Sequence, residues 1–164
     1  MNGSPVKKKS KKKRIAKDCI GWLEYVDFPD WKIKGVTAKV DTGAKTSSLD
    51  VDHIEILSGN RVHFNVVLSK KPTLKKVSLT AKLSRIAKVK SSPIHHEERV
   101  FVKTKIVAGP FKKEIEINLI DRSNMVYRML LGRSAIKDCF LVDVAHKYVL
   151  SKKTVRSKSP KEKC

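Results

Sequence analysis

The residues best suited to chemistry are Asp41-Thr42-Gly43-Ala44, which follow an alternating apolar run. A turn at a strand end can present a carboxylate at its tip, and a glycine there lets other backbone approach closely. Two carboxylates that share one proton can activate a water and protonate a leaving amine, because close like charges cannot both ionise. The motif occurs once and the chain has no internal repeat. A carboxylate pair therefore requires a second copy of the chain, with Asp41 of each copy at a two-fold axis.

The elements that must position this turn are short strands, because the middle of the chain alternates apolar and polar residues with a period of two. Many short strands and one short helix are typical of an all-β fold, and we expect a small closed barrel. The helix is predicted at 133–137, directly after the apolar run Met129-Leu130-Leu131-Gly132. The predicted strands are 20–26, 36–40, 48–57, 61–68, 77–81, 86–89, 99–106, 114–119 and 140–142, with turns at 27–30, 58–60 and 108–110.

Two segments, 40–44 and 129–133, together resemble the retropepsin pattern of aspartic peptidases. More closely, the chain resembles the bacterial retropepsin-like family long labelled "ATP-dependent zinc protease". The resemblance runs in family order from about residue 20 to 150, and it implies a retropepsin-like acid-protease barrel. The matching stretches are 21–24, 39–49, 97–99, 122–125, 128–133 and 140–143.

The resemblance implies an aspartic-type endopeptidase that acts as a homodimer, with Asp41 of each subunit as the catalytic carboxylate. Thr42 would lock the two active-site loops across the axis through its hydroxyl. Arg133 would begin the helix and pair with a nearby carboxylate. The residues that the resemblance implies as support for the loop are Thr42, Gly43, Ala44, Leu130, Leu131, Gly132 and Arg133.

A cover over such a site would come from the region between Leu68 and Val100, which contains no glycine and many lysines. A stiff, basic cover favours an acidic polypeptide substrate. Relatives of the family are often linked to ATP-grasp ligases that add glutamate to proteins, so the resemblance also implies an association with such a ligase. The substrate-binding candidates are Lys45, Ser47, Ser48 and Arg99, and the two serines could instead be hydrogen-bonding turn residues.

The charge of the chain is strongly positive and concentrated at its ends. The formal net charge is +21, and residues 1–17 hold eight cations and no acid. Residues 152–164 carry a net +5, which leaves +8 for residues 18–151. We expect one domain over 18–151 between two disordered basic tails, because like charges repel and these ends have little to bury. The tails could bind polyanions weakly or only keep the protein soluble.

Two other function classes remain open beside the peptidase. The fold could be a non-catalytic binding module for an acidic polypeptide or other polyanion, or the tails alone could associate with nucleic acid. No cofactor and no metal are expected, since the sequence lacks a phosphate-binding glycine loop and a His-Glu-x-x-His motif. His95-His96-Glu97-Glu98 is interpreted as a surface loop. Three scattered cysteines and no signal or membrane-spanning segment favour a cytoplasmic protein.

Overall fold

The computed structural model describes residues 17–69, 74–90 and 96–151. Nearly all of the two tails, 1–16 and 152–164, lies outside the described residues, so their predicted disorder stays a prediction. The described chain is mostly β-strand with one short α-helix, as the sequence predicted. The elements are β1 (Asp18–Gly21), β2 (Leu23–Phe28), a 3-10 turn (Pro29–Trp31), β3 (Ile33–Asp41), β4 (Ser47–Leu57), β5 (Arg61–Ser69), β6 (Lys75–Lys90), β7 (His96–Ala108), β8 (Phe111–Ile120), β9 (Met129–Gly132), α1 (Arg133–Ile136) and β10 (Phe140–Asp143).

The strands form an eight-stranded sheet and a two-stranded sheet. The order in the larger sheet is β2-β3-β9-β4-β5-β6-β7-β8, and β2 also pairs with β7 while β4 also pairs with β8. In the smaller sheet β1 lies parallel to β10. The predicted hairpins β4–β5 and β7–β8 are present, with Gly59 and Gly109 at positive φ in their turns.

Two predicted strand boundaries were wrong. The predicted strand 20–26 is divided at Trp22, whose N–H donates to the His146 carbonyl (3.0 Å) while its own carbonyl accepts from Val40 (2.9 Å). The predicted strands 77–81 and 86–89 are one strand, β6. Its pairing register with β7 shifts between Leu83 and Arg85. Such a bulge interrupts the period-two pattern without ending the strand, which explains the error.

The core lies on the inward faces of the strands. Val62, Phe64 and Val66 alternate along β5, and all three are fully buried. This is the pattern expected where one face of a strand packs inside. Leu49 on β4 and Met129 on β9 are also fully buried. They pair in register, so the core extends to β4, which follows the Asp41 turn, and to β9, which pairs with β3.

A buried carboxylate joins the start of the domain to its end. Glu24 is completely buried, and its Oε1 accepts the backbone N–H groups of Gly21 (2.9 Å), Val149 (2.9 Å) and Leu150 (3.0 Å). Its Oε2 accepts the Ser151 N–H at 3.1 Å. Hydrogen bonds to a buried carboxylate are strong, so Glu24 holds the segment after β10 against β2.

Candidate functional site

Asp41 is the last residue of β3 and lies opposite Gly132 of β9 in a parallel pair. Its Oδ1 accepts the N–H of Gly43 at 2.9 Å and the N–H of Ala44 at 3.2 Å. The side chain is half-buried, and within the described residues Oδ2 has no hydrogen-bond partner. The turn therefore fixes one carboxylate oxygen and leaves the other available to an incoming group.

Arg133 holds the turn from the side of the helix. Its backbone N–H donates to the Ala44 carbonyl at 2.9 Å. Its Nη1 donates to the carbonyls of Thr42 (2.8 Å) and Gly43 (2.9 Å). The prediction that Arg133 begins a helix is confirmed. Among the described residues its guanidinium bonds backbone carbonyls, which corrects the expectation of a carboxylate partner, and it thereby sets the shape of the loop that carries Asp41.

The end of β9 packs tightly against the chain that follows the Asp41 turn. Leu131 is 2% exposed, Leu130 is half-buried, and the Gly132 N–H donates to Ser47 Oγ at 3.2 Å. A Cβ on Gly132 would lie 2.5 Å from the carbonyl carbon and oxygen of Thr46. Gly132 therefore permits a close approach that another residue would prevent.

The serines among the substrate-binding candidates belong to this framework. Ser47 and Ser48 are buried, and Asn118 Nδ2 donates to the Ser47 carbonyl (2.7 Å) and to Ser48 Oγ (2.9 Å). Their hydroxyls are enclosed by the protein, which corrects the expectation that they contact substrate and supports the hydrogen-bonding alternative. Lys45 and Thr42 are exposed, so both stay available to a ligand or a second subunit.

A buried ion pair lies further along β4. Asp50 is 1% exposed, and its Oδ2 is bonded to Arg128 Nη1. Its Oδ1 accepts the backbone N–H of Arg122 at 2.7 Å, and its own N–H donates to the Arg128 carbonyl at 2.7 Å. Asp50 therefore anchors both ends of the 121–128 segment between β8 and β9. The sequence interpretation gave these three residues no role.

The Arg122 side chain lies where several charges meet. Its Nε donates to the Tyr127 carbonyl at 3.2 Å. Burial lowers the pKa of the Arg122 guanidinium, the charge of Asp50 opposes that change, and Arg99 lowers the pKa further. Asp41 in turn favours the charged form. The charges of Asp41 and Arg99 thus both act on the Arg122 guanidinium.

Arg99 is the substrate-binding candidate that lies near this group. Its side chain is 16% exposed and bonds Glu97 Oε2 from Nη2 at 3.3 Å. Strand β7 begins at His96, which corrects the interpretation of 95–98 as a surface loop, because the backbone from His96 onward pairs with β6. His95 lies outside the described residues.

Neither a cluster of metal-binding side chains nor a membrane-spanning helix is present in the part of the chain that the structure describes. There, no three His, Cys, Asp or Glu side chains are grouped so that they could hold a metal ion, so its residues do not fit a zinc site. No helix there combines the length and the apolar character needed to cross a membrane.

Comparison with known proteins identifies the family. A family model described as RimB-like, retropepsin-like aspartic endopeptidase RimB, matches residues 19–153. A probable alpha-L-glutamate ligase of Desulfotalea psychrophila is 33% identical over 144 residues, covering 80% of this chain and 29% of the ligase. Another from Shewanella pealeana is 31% identical over 137 residues, covering 82% of this chain and 30% of that protein. The chain thus spans less than a third of the length of these curated relatives.

The fold also matches a solved structure. A crystal structure of a Legionella pneumophila protein of unknown function superposes with a TM-score of 0.68 at 27% identity, covering 82% of this chain and 99% of that one. The likeness therefore covers most of this chain and nearly all of the other. Given the family match over 19–153, this chain belongs to the RimB-like family of retropepsin-like aspartic endopeptidases.

Proposed function

We propose that the protein is an aspartic endopeptidase that acts as a homodimer, with one Asp41 from each copy. The observation that carries the proposal is the geometry of the turn. Asp41 stands at a strand end with Oδ1 held by two backbone N–H groups and Oδ2 without a partner among the described residues. Two such carboxylates at a two-fold axis would share a proton, one activating water and the other protonating the leaving amine.

The finer architecture belongs to the same proposal. We propose that the larger sheet is a closed acid-protease barrel, and the pairings of β2 with β7 and of β4 with β8 support this view. Thr42 is exposed at the tip of the loop, so its hydroxyl is available to bond the loop of a second copy. A closed barrel would hold β3 and β9 rigid beneath that interface.

The proposed substrate is an acidic polypeptide. The family relatives include proteins named glutamate ligases, and the charges of Arg99 and Asp41 both act on Arg122. A ligase that adds glutamate produces acidic chains, so an association with an ATP-grasp ligase is part of the proposal. We further propose a cytoplasmic location, in keeping with the free thiols of Cys19 and Cys139.

The experiment compares wild-type protein with Asp41→Asn on peptides that end in several α-linked glutamates. Asn keeps an oxygen that can accept from Gly43 and Ala44, so the fold should persist. We expect cleavage to fall by at least about 10³-fold, the scale of general acid-base catalysis. Sedimentation of both proteins should give twice the chain mass of 18.5 kDa. Cleavage by Asp41→Asn at the wild-type rate would refute the proposal.

A second candidate function is a non-catalytic binding module for an acidic polypeptide. The observation that favours it is the concentration of cationic side chains, Arg99, Arg122 and Arg128, around one segment. This function predicts salt-sensitive binding of polyglutamate that is equal in wild-type and Asp41→Asn protein, with no cleavage by either. Binding that is lost when residues 1–17 and 152–164 are removed would instead assign it to the tails.

A further inference from the structure

Arg122 is a fixed cation whose terminal nitrogens are unused. Its backbone N–H donates to Asp50 and its Nε donates to the Tyr127 carbonyl, so both the backbone and the guanidinium are held in place. Within residues 17–69, 74–90 and 96–151, Nη1 and Nη2 have no hydrogen-bond acceptor. A guanidinium fork, meaning the two terminal nitrogens of the arginine, can donate parallel hydrogen bonds to the two oxygens of a carboxylate.

The neighbouring carboxylates do not fill that vacant fork. Asp50 gives one oxygen to Arg128 and the other to the Arg122 backbone, and Glu97 is bonded to Arg99. The remaining charges that act on Arg122 are Arg99 and Arg128, which repel it, and Asp41, which attracts it. A bound anion would therefore relieve the repulsion among three cations that the fold holds together.

The distance to the Asp41 turn suits a substrate side chain. Ser47, at the start of β4, bonds Gly132, which lies opposite Asp41. Asp50, which anchors Arg122, is three residues further along β4, about 10 Å at strand spacing. A substrate that is extended in the cleft advances about 3.3 Å per residue. Arg122 is anchored to β4 at that distance from the Asp41 turn, so it suits substrate positions within about three residues of the scissile bond.

We propose that Arg122 is a specificity residue, which binds the carboxylate of a substrate side chain within three residues of the scissile bond. This inference rests on the proposed peptidase function. Arg122 would offset the repulsion between an acidic substrate and the Asp41 pair, and Arg99 would add a second positive charge behind it. A neutral side chain at the same substrate position would leave the fork empty.

The test uses two peptides that differ only by Glu or Gln at those positions. We expect Arg122→Gln to lower kcat/KM for the Glu peptide by about 10- to 100-fold, the scale of a lost charge-assisted hydrogen bond. The Gln peptide should change by less than about threefold, and Arg122→Lys should recover part of the preference. Arg61→Gln is the matched control, since Arg61 is exposed on β5 and loses the same charge. It should leave the Glu/Gln ratio unchanged.

The alternatives give different results. An equal loss on both peptides, or an unchanged Glu/Gln ratio, would overturn the role of Arg122. If wild-type protein cleaves neither peptide, the proposed function fails, and the inference is then decided by fluorescence anisotropy. In that case Asp41→Asn protein should bind the Glu peptide more tightly than the Gln peptide, and adding Arg122→Gln should abolish the difference. Retention of the difference would refute the inference.

Discussion

Replacement of Gly132 by Ala tests how tightly the Asp41 turn is held. Gly132 has φ −80° and ψ 169°, which any residue can adopt, so the new methyl acts through its volume alone. Its Cβ would lie 2.5 Å from the Thr46 carbonyl carbon and oxygen, where ordinary contact begins at 3.4 Å. One backbone segment must therefore move by about 0.9 Å.

The cost follows from what that movement disturbs. Crowding of a packed interior typically costs about 1–3 kcal/mol. The shift also strains the bond from the Gly132 N–H to Ser47 Oγ, and a lost hydrogen bond adds about 1 kcal/mol. We expect Gly132→Ala to lose about 2–4 kcal/mol of unfolding free energy, a large part of the usual 5–15 kcal/mol.

Urea unfolding measures this loss, and the amide NMR signals of Gly43 and Ala44 report the geometry of the turn. Gly35→Ala is the control: its φ of +68° makes Ala strained, by about 1–2 kcal/mol, but nothing lies within 4 Å of the new Cβ. Both variants should unfold at lower urea, and only Gly132→Ala should shift the Gly43 and Ala44 signals. Wild-type stability and unchanged signals in Gly132→Ala would refute the account of tight packing.

Three further variants test other parts of the structure. Glu24→Gln replaces an oxygen that accepts the Ser151 N–H by a donor, so the free energy of unfolding in urea should fall by at least about 1–3 kcal/mol, the cost of an unsatisfied buried donor. The exposed Glu55→Gln should lose little, and similar losses in both variants would contradict the role of Glu24 as a buried anchor. The Arg85 hydrogen bond holds the pKa of Glu116 below its ordinary 4.5. The ionised Glu116 should therefore stabilise the folded protein fully above about pH 4.5, and this contribution should decrease as the pH falls through the lower pKa of the folded state. The stability difference between wild type and Glu116→Gln should shrink in acid, and a constant difference would refute this. Arg133→Met should broaden the Gly43 amide signal, because two carbonyls lose their donor; a sharp, unshifted signal would show that the loop holds its shape alone.

The sequence predicted the parts of the fold that depend on local patterns. The alternation of apolar and polar residues predicted the β4–β5 hairpin. The apolar run 129–132 and the helix after it were predicted as the elements that support the Asp41 turn. The bulge at Leu83/Arg85 was not predicted, because a register shift is decided by the partner strand. The bond of Arg122 to Asp50 joins residues 72 positions apart, and no local pattern encodes it.

Substrate chemistry was the least predictable part of the site for the same reason. Ser47 and Ser48 lie within four residues of the end of the motif in sequence, yet the fold buries both. Arg122 is far from Asp41 in sequence, and the fold brings their charges together. Proximity along the chain was therefore a poor guide to which side chains the fold leaves exposed, whereas the position of Asp41 at a strand end was predicted correctly.

The central proposal is that each active site takes one Asp41 from each of two copies. Its most direct test is cleavage of an oligoglutamate-tailed peptide by wild-type protein mixed with increasing Asp41→Asn protein and allowed to exchange subunits. If both carboxylates are required, mixed dimers are inactive and activity per wild-type chain should fall in proportion to the wild-type fraction. Activity per wild-type chain that stays constant at every ratio would contradict the proposal.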